Sequence, residues 1–207
     1  MPTISDQQFE PHWILRAQQG ESEAQRQIYL HFAPQVLGLA RHMLQCEAAA
    51  EEVVQDCFVD LLSKINQFRH QGSFAGWLRR MAVNHCLMNM RSAWNKKRSP
   101  LEAAGDIDSG GGELADHQAH KILNRLLAEL PPKTRAVLWL HDVEDYTHGE
   151  IAKLMGKTVS FSKSQLARAH EKIRQQLQAE QIDKDSIHQE SQTNTGADIC
   201  MPLLNNF

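Results

Sequence analysis

The helical period of the apolar residues constrains the fold of this chain more than any other feature of its sequence. Apolar side chains recur at helical spacing in successive segments, Gly and Pro residues stand between these segments, and alternating strand patterns are almost absent. An all-α protein is therefore predicted. Eight helices are expected, over residues 8–19, 23–44, 48–65, 74–96, 115–129, 132–142, 147–155 and 160–178.

The eight segments form two groups of four, separated by a polar stretch that contains Pro100, Gly105 and Gly110–Gly112. That stretch has few apolar residues to bury, so a flexible linker is predicted. A chain of 207 residues is long enough for two small hydrophobic cores. We expect two small helical domains over 1–97 and 115–180, a flexible acidic linker over 98–114 and a polar, disordered tail over 181–207.

Charged residues are segregated along the chain, although the net charge is only −3. Residues 69–98 contain seven Lys or Arg residues and no acid, whereas residues 99–118 contain five acids and no Lys or Arg. A second basic segment, residues 146–177, has six Lys or Arg residues against two acids. Two basic segments on either side of an acidic one indicate two surfaces for a polyanion, with ordinary solvated helix faces as the alternative.

The predicted helix over 48–65 has an apolar face and an acidic face. The apolar face, which must cover a core, consists of Val54, Cys57, Phe58, Leu61 and Ile65. The opposite face consists of Glu52, Gln55, Asp56, Val59 and Asp60. An acidic strip with one exposed Val is either a solvated surface, which is the commoner case, or a docking face for a basic partner.

The predicted helix over 74–96 combines aromatic and basic side chains. Its expected core face consists of Phe74, Trp77, Leu78, Met81, His85 and Met88. Its outer face consists of Arg80, Asn84, Leu87 and Arg91. Two guanidinium groups beside a carboxamide suit a phosphate backbone with unstacked bases next to it. The preceding loop, residues 67–73, adds aromatic and basic groups typical of single-strand binding, although core packing is the alternative for Phe68 and Phe74.

Residues 145–169 have the sequence pattern of a helix-turn-helix, with a helical hairpin that does not bind DNA as the alternative. Thr147 and Glu150 form a capping box, and Gly156 permits a left-handed turn. Ser160 or Ser162 is expected to cap the second helix. The core face of that helix is expected to consist of Leu166, Ala169, Ile173 and Leu177. Its outer face, which in this motif enters the major groove, consists of Phe161, Ser164, Gln165, Arg168 and Lys172.

Several functional classes find no support in the sequence. No apolar run approaches the ~20 residues of a membrane span, and residues 1–10 lack the regions of a secretory signal. The four cysteines have no paired spacing, which fits a reducing, cytoplasmic setting. The pairs His117/His120 and His42/Cys46 lack further ligands nearby, and no catalytic or phosphate-loop motif is present. We therefore expect no metal, no cofactor and no catalytic activity.

Two sets of motifs, spread over nearly all of residues 10–178, resemble the ECF (extracytoplasmic function) group of the bacterial sigma-70 family. Residues 50–58 (AEEVVQDCF) and 73–84 (SFAGWLRRMAVN) resemble its conserved region 2. Residues 127–135 (LAELPPKTR) and 163–169 (KSQLARA) resemble its region 4. The two matches follow the order and separation of the family.

The resemblance implies an RNA polymerase sigma factor, which directs the core enzyme to promoter DNA and performs no chemistry itself. The surface that docks on the polymerase β′ clamp would consist of Glu52, Gln55, Asp56 and Val59. The melted −10 strand would lie along Arg80, Asn84 and Arg91, with Phe68 in the loop that captures a flipped base. Contacts to the −35 element would come from Phe161, Lys163, Ser164, Gln165, Arg168 and Lys172. An anti-sigma factor would be the partner of the free protein.

The chain departs from the family pattern at positions that bear on promoter sequence rather than on fold. Met88 stands where many members have Asp, and Val83 stands where Arg is common. A stand-alone helix-turn-helix regulator is the alternative function, but such a protein has no need of the acidic strip around Glu52 and Asp56. A metal-dependent enzyme acting on nucleic acid is a third hypothesis, which requires His and carboxylate groups clustered in a pocket.

Overall fold

The computed structural model describes the backbone of residues 4–6, 9–96 and 114–193, and the side chains of residues 4–6, 9–92 and 121–178. All regular structure in these residues is helical, so the predicted all-α fold is confirmed. A short 3-10 turn spans Ile65–Gln67. The α-helices are α1 (His12–Gln18), α2 (Ser22–Leu44), α3 (Glu47–Lys64), α4 (Phe74–Lys96), α5 (Leu114–Ala128), α6 (Pro132–Asp142), α7 (His148–Met155) and α8 (Val159–Thr193).

Each of the eight expected helices is present, and the largest difference lies at the end of the last one. Helix α8 runs to Thr193 instead of ending at residue 178, so the first part of the predicted tail is helical. The predicted linker over 98–114 lies outside the described residues except for Leu114. Its flexibility and the predicted domain boundaries therefore stay predictions.

The chain divides into two compact units, residues 1–169 and residues 170–207. The first unit contains α1 to α7 and the beginning of α8. The second contains the remainder of α8, where Arg174 and Glu171 form an exposed ion pair one turn apart. Exposed pairs of this kind add little stability, about 0.3–0.5 kcal/mol.

Helix α2 is central to the N-terminal half, where it packs against α1, α3 and α4. Its buried row includes Ile28, Phe32, Val36 and Met43, which are fully shielded from water. Burial of each large side chain contributes about 1.5–3 kcal/mol. The helix ends at Gln45, whose φ of 54° is left-handed and turns the chain into α3.

Aromatic packing and backbone capping hold the segment between α3 and α4 in place. The ring centroids of Phe68 and Phe74 lie 5.2 Å apart in an edge-to-face arrangement. From α1, Gln18 Nε2 donates hydrogen bonds to the carbonyl oxygens of Ile65 (2.9 Å) and Phe68 (3.0 Å). These contacts fix the entry of the chain into α4.

Helix α6 is the most buried helix of the C-terminal half, since every residue from Thr134 to Leu140 is buried. It begins at a Pro pair, Pro131-Pro132, and Pro is well suited to the first turn of a helix because it lacks the N–H that would remain unpaired there. Helix α6 packs against both α2 and α7. It therefore joins the two halves of the first unit.

The helix-turn-helix begins as the sequence predicts. Thr147 and Glu150 form the capping box, in which the Glu150 carboxylate accepts a 2.9 Å hydrogen bond from the Thr147 N–H. Helix α7 then ends at Gly156, whose φ is 63°. The cap of α8 is Thr158, whose Oγ1 accepts the Phe161 N–H at 3.1 Å. The prediction that Ser160 or Ser162 is the cap is wrong, because α8 begins before both.

Candidate nucleic-acid and polymerase interface

Helix α3 has one buried face and one exposed face, as the sequence predicts. The buried stripe consists of Val54, Cys57, Phe58, Leu61 and Ile65. The exposed side chains, which we call the acidic face, are Glu52, Gln55, Asp56 and Val59. Val59 is 72% exposed, an unusually open position for an aliphatic side chain.

Asp60 borders the acidic face, but its carboxylate is paired with Lys64 and also contacts His85. Lys64 Nζ lies 2.7 Å from its carboxylate, and His85 Nε2 from α4 lies 3.4 Å away. The hydrogen bond from Lys64 is the main reason that the pKa of Asp60 is lowered, and His85 adds to it. His85 is half-buried between α3 and α4, in accord with its predicted packing role.

The outer side of α4 presents three polar side chains that we call the α4 ridge: Arg80, Asn84 and Arg91. All three are exposed. A groove of about 700 Å³ separates the ridge from α3. The acidic face contributes Asp56 and Val59 to the opposite wall of the groove. A basic, amide-bearing wall and an acidic wall therefore face each other across one cleft.

Two residues of α4 lie on the opposite face from the one predicted. Leu87, expected on the outer face, is buried at 4% exposure, and Met88, expected in the core, is 59% exposed. Leu87 lies one helical turn after the buried Val83, whereas Met88 lies one turn after the exposed Asn84. The predicted core face of α4 is therefore wrong by one residue near the end of the helix. As a result Met88 joins the groove beside the α4 ridge.

The structure contradicts the predicted exposure of Phe68 for base contact. Phe68 is 8% exposed, and its ring packs against Phe74 and Trp77. The groups of this loop that face solvent are polar, namely Arg69, His70 and Gln71. Phe68 is therefore a core residue that shapes the loop.

The outer face of α8 contains most, but not all, of the side chains expected there. Lys163, Ser164 and Arg168 are exposed, while Phe161 and Lys172 are half-exposed. Gln165 is 9% exposed, and its Oε1 accepts a 2.6 Å hydrogen bond from Thr134 Oγ1 on α6. The prediction that Gln165 faces outward is wrong because its side chain is bound within the helix-turn-helix core. On the predicted core face, Leu166 and Ala169 are buried, but Leu177 is 42% exposed.

A second buried polar contact, missed by the sequence reasoning, joins α7 to α8. His148 Nδ1 lies 3.0 Å from Oγ of Ser162, which is fully buried. The His148 ring stacks on His141 of α6, with centroids 4.5 Å apart. Desolvation, together with the neighbouring His141, lowers the pKa of His148. No spacing in the sequence pairs His148 with Ser162, which lies fourteen residues later in the chain.

Buried polar contacts also join the two halves of the first unit, and neither charge patterning nor periodicity indicated them. Glu144, between α6 and α7, is 4% exposed, and its Oε2 lies 3.2 Å from Arg79 Nε on α4. Its Oε1 accepts a hydrogen bond from Trp139 Nε1 at 3.2 Å. Desolvation raises the pKa of Glu144, while the Arg79 charge opposes that shift. An exposed contact also joins the two halves: Arg91 Nη2 on the α4 ridge donates a 2.6 Å hydrogen bond to the Leu154 carbonyl oxygen on α7.

Arg135 of α6 is buried and binds backbone carbonyls in both halves. Its guanidinium donates to Met43 O (3.0 Å) and Leu44 O (3.2 Å) at the end of α2. It also donates to Leu127 O (3.2 Å) and Leu130 O (3.3 Å) near the end of α5. Burial lowers the pKa of Arg135 to about 10, so the group is charged at neutral pH. A cation at two helix C-termini satisfies carbonyls that lack helical partners.

Within the part of the chain whose side chains are described, no three His, Cys, Asp or Glu residues are grouped as a metal site requires. His42, one member of a predicted pair, stacks on Trp139 with ring centroids 4.3 Å apart. The side chains of His117 and His120 lie outside the described set. No described helix is both long enough and apolar enough to cross a membrane.

Residues 28–96 match the family described as Sigma-70 region 2, and residues 120–173 match Sigma-70, region 4. The chain is 27% identical over 154 residues to the ECF RNA polymerase sigma factor SigM of Mycobacterium tuberculosis, covering 74% of this chain and 77% of SigM. This chain is a sigma factor of the ECF group. The family suggested by the motifs is thereby confirmed.

Further relatives extend over more of this sigma factor. It is 25% identical over 188 residues to the ECF RNA polymerase sigma-E factor of Escherichia coli K12, covering 84% of this chain and 97% of that protein. Its fold is similar to that of the sigma factor RpoE in complex with the anti-sigma factor NepR from Bartonella quintana. That structure has a TM-score of 0.53 and 19% identity, and the match covers 74% of this sigma factor and 96% of RpoE.

A second solved structure, CnrH in complex with the cytosolic domain of CnrY, shares the same fold with a TM-score of 0.50. The identity is 22%, and the match covers 81% of this sigma factor and 96% of the solved chain. The helical order described above is therefore shared with the solved sigma factor RpoE and with CnrH.

Proposed function

We propose that this sigma factor binds core RNA polymerase through the acidic face of α3 and promoter DNA through the α4 ridge and α8. The observation that carries the proposal is the exposure of Arg80, Asn84 and Arg91 along one side of α4. Guanidinium groups neutralise phosphates, and a carboxamide can hydrogen-bond to an unpaired base. The α4 ridge is thus suited to the melted −10 strand.

The acidic face suits a protein partner better than DNA. Its carboxylates, Glu52 and Asp56, repel phosphates, while Val59 offers an exposed apolar contact beside them. A basic surface on the polymerase β′ clamp has the complementary charge. This combination supports the sigma-factor function over a stand-alone regulator, which needs no such surface.

Contacts to the −35 element are proposed for the outer side of α8. The exposed side chains Lys163, Ser164 and Arg168 are of the types that bind phosphates and base edges in the major groove. Half-exposed Phe161 and Lys172 complete the proposed contact set. Gln165 is left out because its side chain is buried against Thr134.

We further propose that an anti-sigma factor binds this protein when it is not on polymerase, since the similar solved structure of the sigma factor RpoE is a complex with the anti-sigma factor NepR. The protein acts in the cytoplasm with the polymerase. It performs no catalysis, because the polymerase supplies the chemistry of transcription.

The test is the substitution Asp56→Arg at the acidic face. We expect it to weaken binding to core RNA polymerase at least tenfold, because it places a cation against a basic partner at an exposed site. The measurement is a binding titration with labelled core enzyme, together with run-off transcription from genomic promoter fragments. Thermal unfolding should be unchanged because Asp56 makes no core contact.

The matched control is Glu10→Arg, which makes the same charge change at an exposed residue outside α3. It should leave polymerase binding within twofold of the unmodified protein. Equal affinities for the two variants would contradict the docking assignment. Failure of the unmodified protein to start transcription with core enzyme would contradict the proposed function itself.

A further inference from the structure

We propose that Asp6 is a positioning residue for promoter opening, because its carboxylate holds the start of α4 and the loop before it in the conformation that receives a base. This inference rests on the proposed function, in which the melted −10 strand lies along the α4 ridge. By the resemblance to region 2, the loop over 67–73 captures one base of that strand. Asp6 itself belongs to a distant segment, residues 4–6, which we call the arm.

The solvent-facing part of the loop has no core of its own. Arg69, His70, Gln71 and Gly72 are all exposed, and the φ angles of His70 and Gly72 are left-handed at 55° and 99°. A left-handed conformation is unfavourable for a residue with a Cβ, such as His70. The conformation of the loop therefore depends on the groups that hold its two ends.

Gln18 of α1 holds the first end of the loop. Its Nε2 donates a 3.0 Å hydrogen bond to the Phe68 carbonyl oxygen, and its Oε1 lies 3.1 Å from Nε2 of His70. The buried Phe68 ring, which packs against Phe74 and Trp77, adds an apolar anchor at the same end. The chain is therefore fixed where it enters the exposed part of the loop.

Asp6 holds the second end, where α4 begins. Its Oδ1 accepts the Ala75 N–H at 2.9 Å, and its Oδ2 accepts a hydrogen bond from the Ser73 hydroxyl. Ser73 Oγ in turn accepts the Gly76 N–H at 3.1 Å. The first N–H groups of a helix have no partners within the helix, and the helix dipole favours a carboxylate there. One side chain of the arm thus completes the cap of α4, both directly and through Ser73.

Contacts with α2 and α4 hold the arm itself in place. The Ser5 N–H donates to Gln35 Oε1 on α2 at 2.9 Å, and Arg79 Nη2 on α4 donates to the Ile4 carbonyl oxygen at 2.7 Å. The Ile4 side chain is 1% exposed, so it is part of the core. The Asp6 carboxylate therefore reaches α4 from an anchored segment, which gives it a defined position.

Charge alone predicts the opposite effect of Asp6 on DNA binding. An exposed carboxylate repels phosphates, so its removal would tighten DNA binding if electrostatics were its main role. If positioning is its main role, its removal weakens capture of the base, because a pre-organised site binds at lower entropic cost. Both oxygens of Asp6 are engaged by Ala75 and Ser73, which supports the positioning role. The two roles differ in sign and can be separated by experiment.

The test compares two substitutions of Asp6 in the holoenzyme, the complex of core polymerase with this sigma factor. Asp6→Ala removes both acceptor oxygens, whereas Asp6→Asn removes the charge but keeps one oxygen for the Ala75 N–H. We expect Asp6→Ala to weaken binding to forked promoter DNA at least about fivefold, and Asp6→Asn to stay within about twofold of the parent. The matched control is Glu23→Ala, which removes an exposed acid from the first turn of α2 and should leave DNA binding unchanged.

The DNA probe is a forked fragment with an unpaired −10 strand, taken from a promoter that the parent transcribes with core enzyme. Each unpaired position is replaced in turn by an abasic site, which keeps the backbone and removes one base. In the parent we expect one position to dominate the loss of affinity, and that position identifies the captured base. In Asp6→Ala the loss at that position should fall below about twofold, because the loop no longer receives the base. Binding of core polymerase should be unchanged in every variant, since the acidic face is intact.

Several outcomes would overturn the inference. A loss of affinity in Asp6→Ala that is equally large on intact and abasic DNA would indicate a general structural defect. Tighter DNA binding in both Asp6 variants would assign the carboxylate to phosphate repulsion instead. An Asp6→Asn variant as weak as Asp6→Ala would show that the acceptor oxygen is not what matters, and a parent with no dominant position would show that no base is captured.

Should Asp6→Ala fail to fold, Gln35→Ala provides the second test. It removes the acceptor that ties Ser5 to α2 and changes no residue of α4 or of the loop. We expect it to weaken the same base-dependent binding, and an affinity equal to that of the parent refutes the role of the arm. A parent that transcribes but is insensitive to Asp6→Ala refutes this inference alone. A parent that supports no transcription refutes the proposed function together with it.

Discussion

The hydrogen bond between Thr134 and Gln165 joins a recognition helix to the helix behind it. It is 2.6 Å long, and both residues are buried. A buried polar atom that loses its partner costs about 1–3 kcal/mol. The bond therefore fixes the rotation of α8, which determines how Ser164 and Arg168 face DNA.

Substitution Gln165→Ala should lower the free energy of unfolding by about 1–3 kcal/mol, because Thr134 loses its acceptor and a small cavity remains. Urea unfolding measures this loss. Ser164→Ala, at the exposed neighbouring position, should change stability by less than about 0.5 kcal/mol. If Gln165→Ala changed promoter preference at unchanged stability, Gln165 would be a base-reading residue after all.

Residue-level predictions from the sequence succeeded where a helical face was strongly one-sided. The acidic face and the buried stripe of α3 could be predicted from residue spacing, because every residue of the stripe is apolar whereas the opposite face is polar except for Val59. The prediction that Phe68 contacts a base was wrong because an aromatic residue beside basic residues has the same sequence pattern whether its ring stacks on a base or on Trp77. The prediction that Gln165 faces outward was wrong because a residue of another helix, Thr134 on α6, donates a hydrogen bond to its side chain. Residue spacing does not reveal a partner so far away in the sequence.

At the scale of helices, the left-handed residue after α7 sets the angle of the helix-turn-helix. Gly156 has φ 63°, and a Cβ added there would meet no atom within 4 Å. The cost of a side chain is therefore conformational and not steric. Gly38, inside α2, also has open space around it but has helical backbone geometry.

These two glycines give a matched pair of predictions. Gly156→Ala should destabilise the protein by about 1–2 kcal/mol, because a left-handed conformation is unfavourable for any residue with a Cβ. Gly38→Ala should stabilise it by about 0.5–1 kcal/mol, because Ala loses less backbone entropy within a helix. Chemical denaturation of both variants checks the opposite signs. Equal signs would contradict the assigned role of Gly156.

Helix positions were predictable because caps, Pro and Gly mark their ends in the sequence. The capping box at Thr147 marks the start of α7, and the pair Pro131-Pro132 marks the start of α6. The end of α8 was not predictable in this way. Its later residues are polar and lack an apolar stripe, so periodicity stops before the helix does.

At the scale of the whole molecule, Arg135 connects helices from both halves through four backbone carbonyls. Arg135→Met keeps much of the side-chain volume but removes every donor. We expect a loss of at least about 2 kcal/mol in unfolding free energy, since the buried carbonyls lose their partners. Arg26→Met, at an exposed site of α2, should cost less than about 0.5 kcal/mol. Equal losses in the two variants would contradict the bridging role.

The docking of the two halves could not be predicted from the sequence. Arg79 lies in the basic segment 69–98, which predicts a polyanion surface, and the sequence marks neither Arg135 nor Glu144 as buried. Their partners are in the other half of the chain or are backbone carbonyls, which no residue spacing reveals. Only the folded arrangement brings them together.

Burial of two thiols between α3 and α4 has a practical consequence. It raises the pKa of Cys57 to about 12, and it also raises the pKa of Cys86, which is fully shielded. At pH 7 a thiol with that pKa is ionised in only about one molecule in 10⁵, so alkylating and oxidising reagents find almost no thiolate. The rate at which such a reagent modifies these sulfurs therefore measures how often α3 and α4 separate in the native protein.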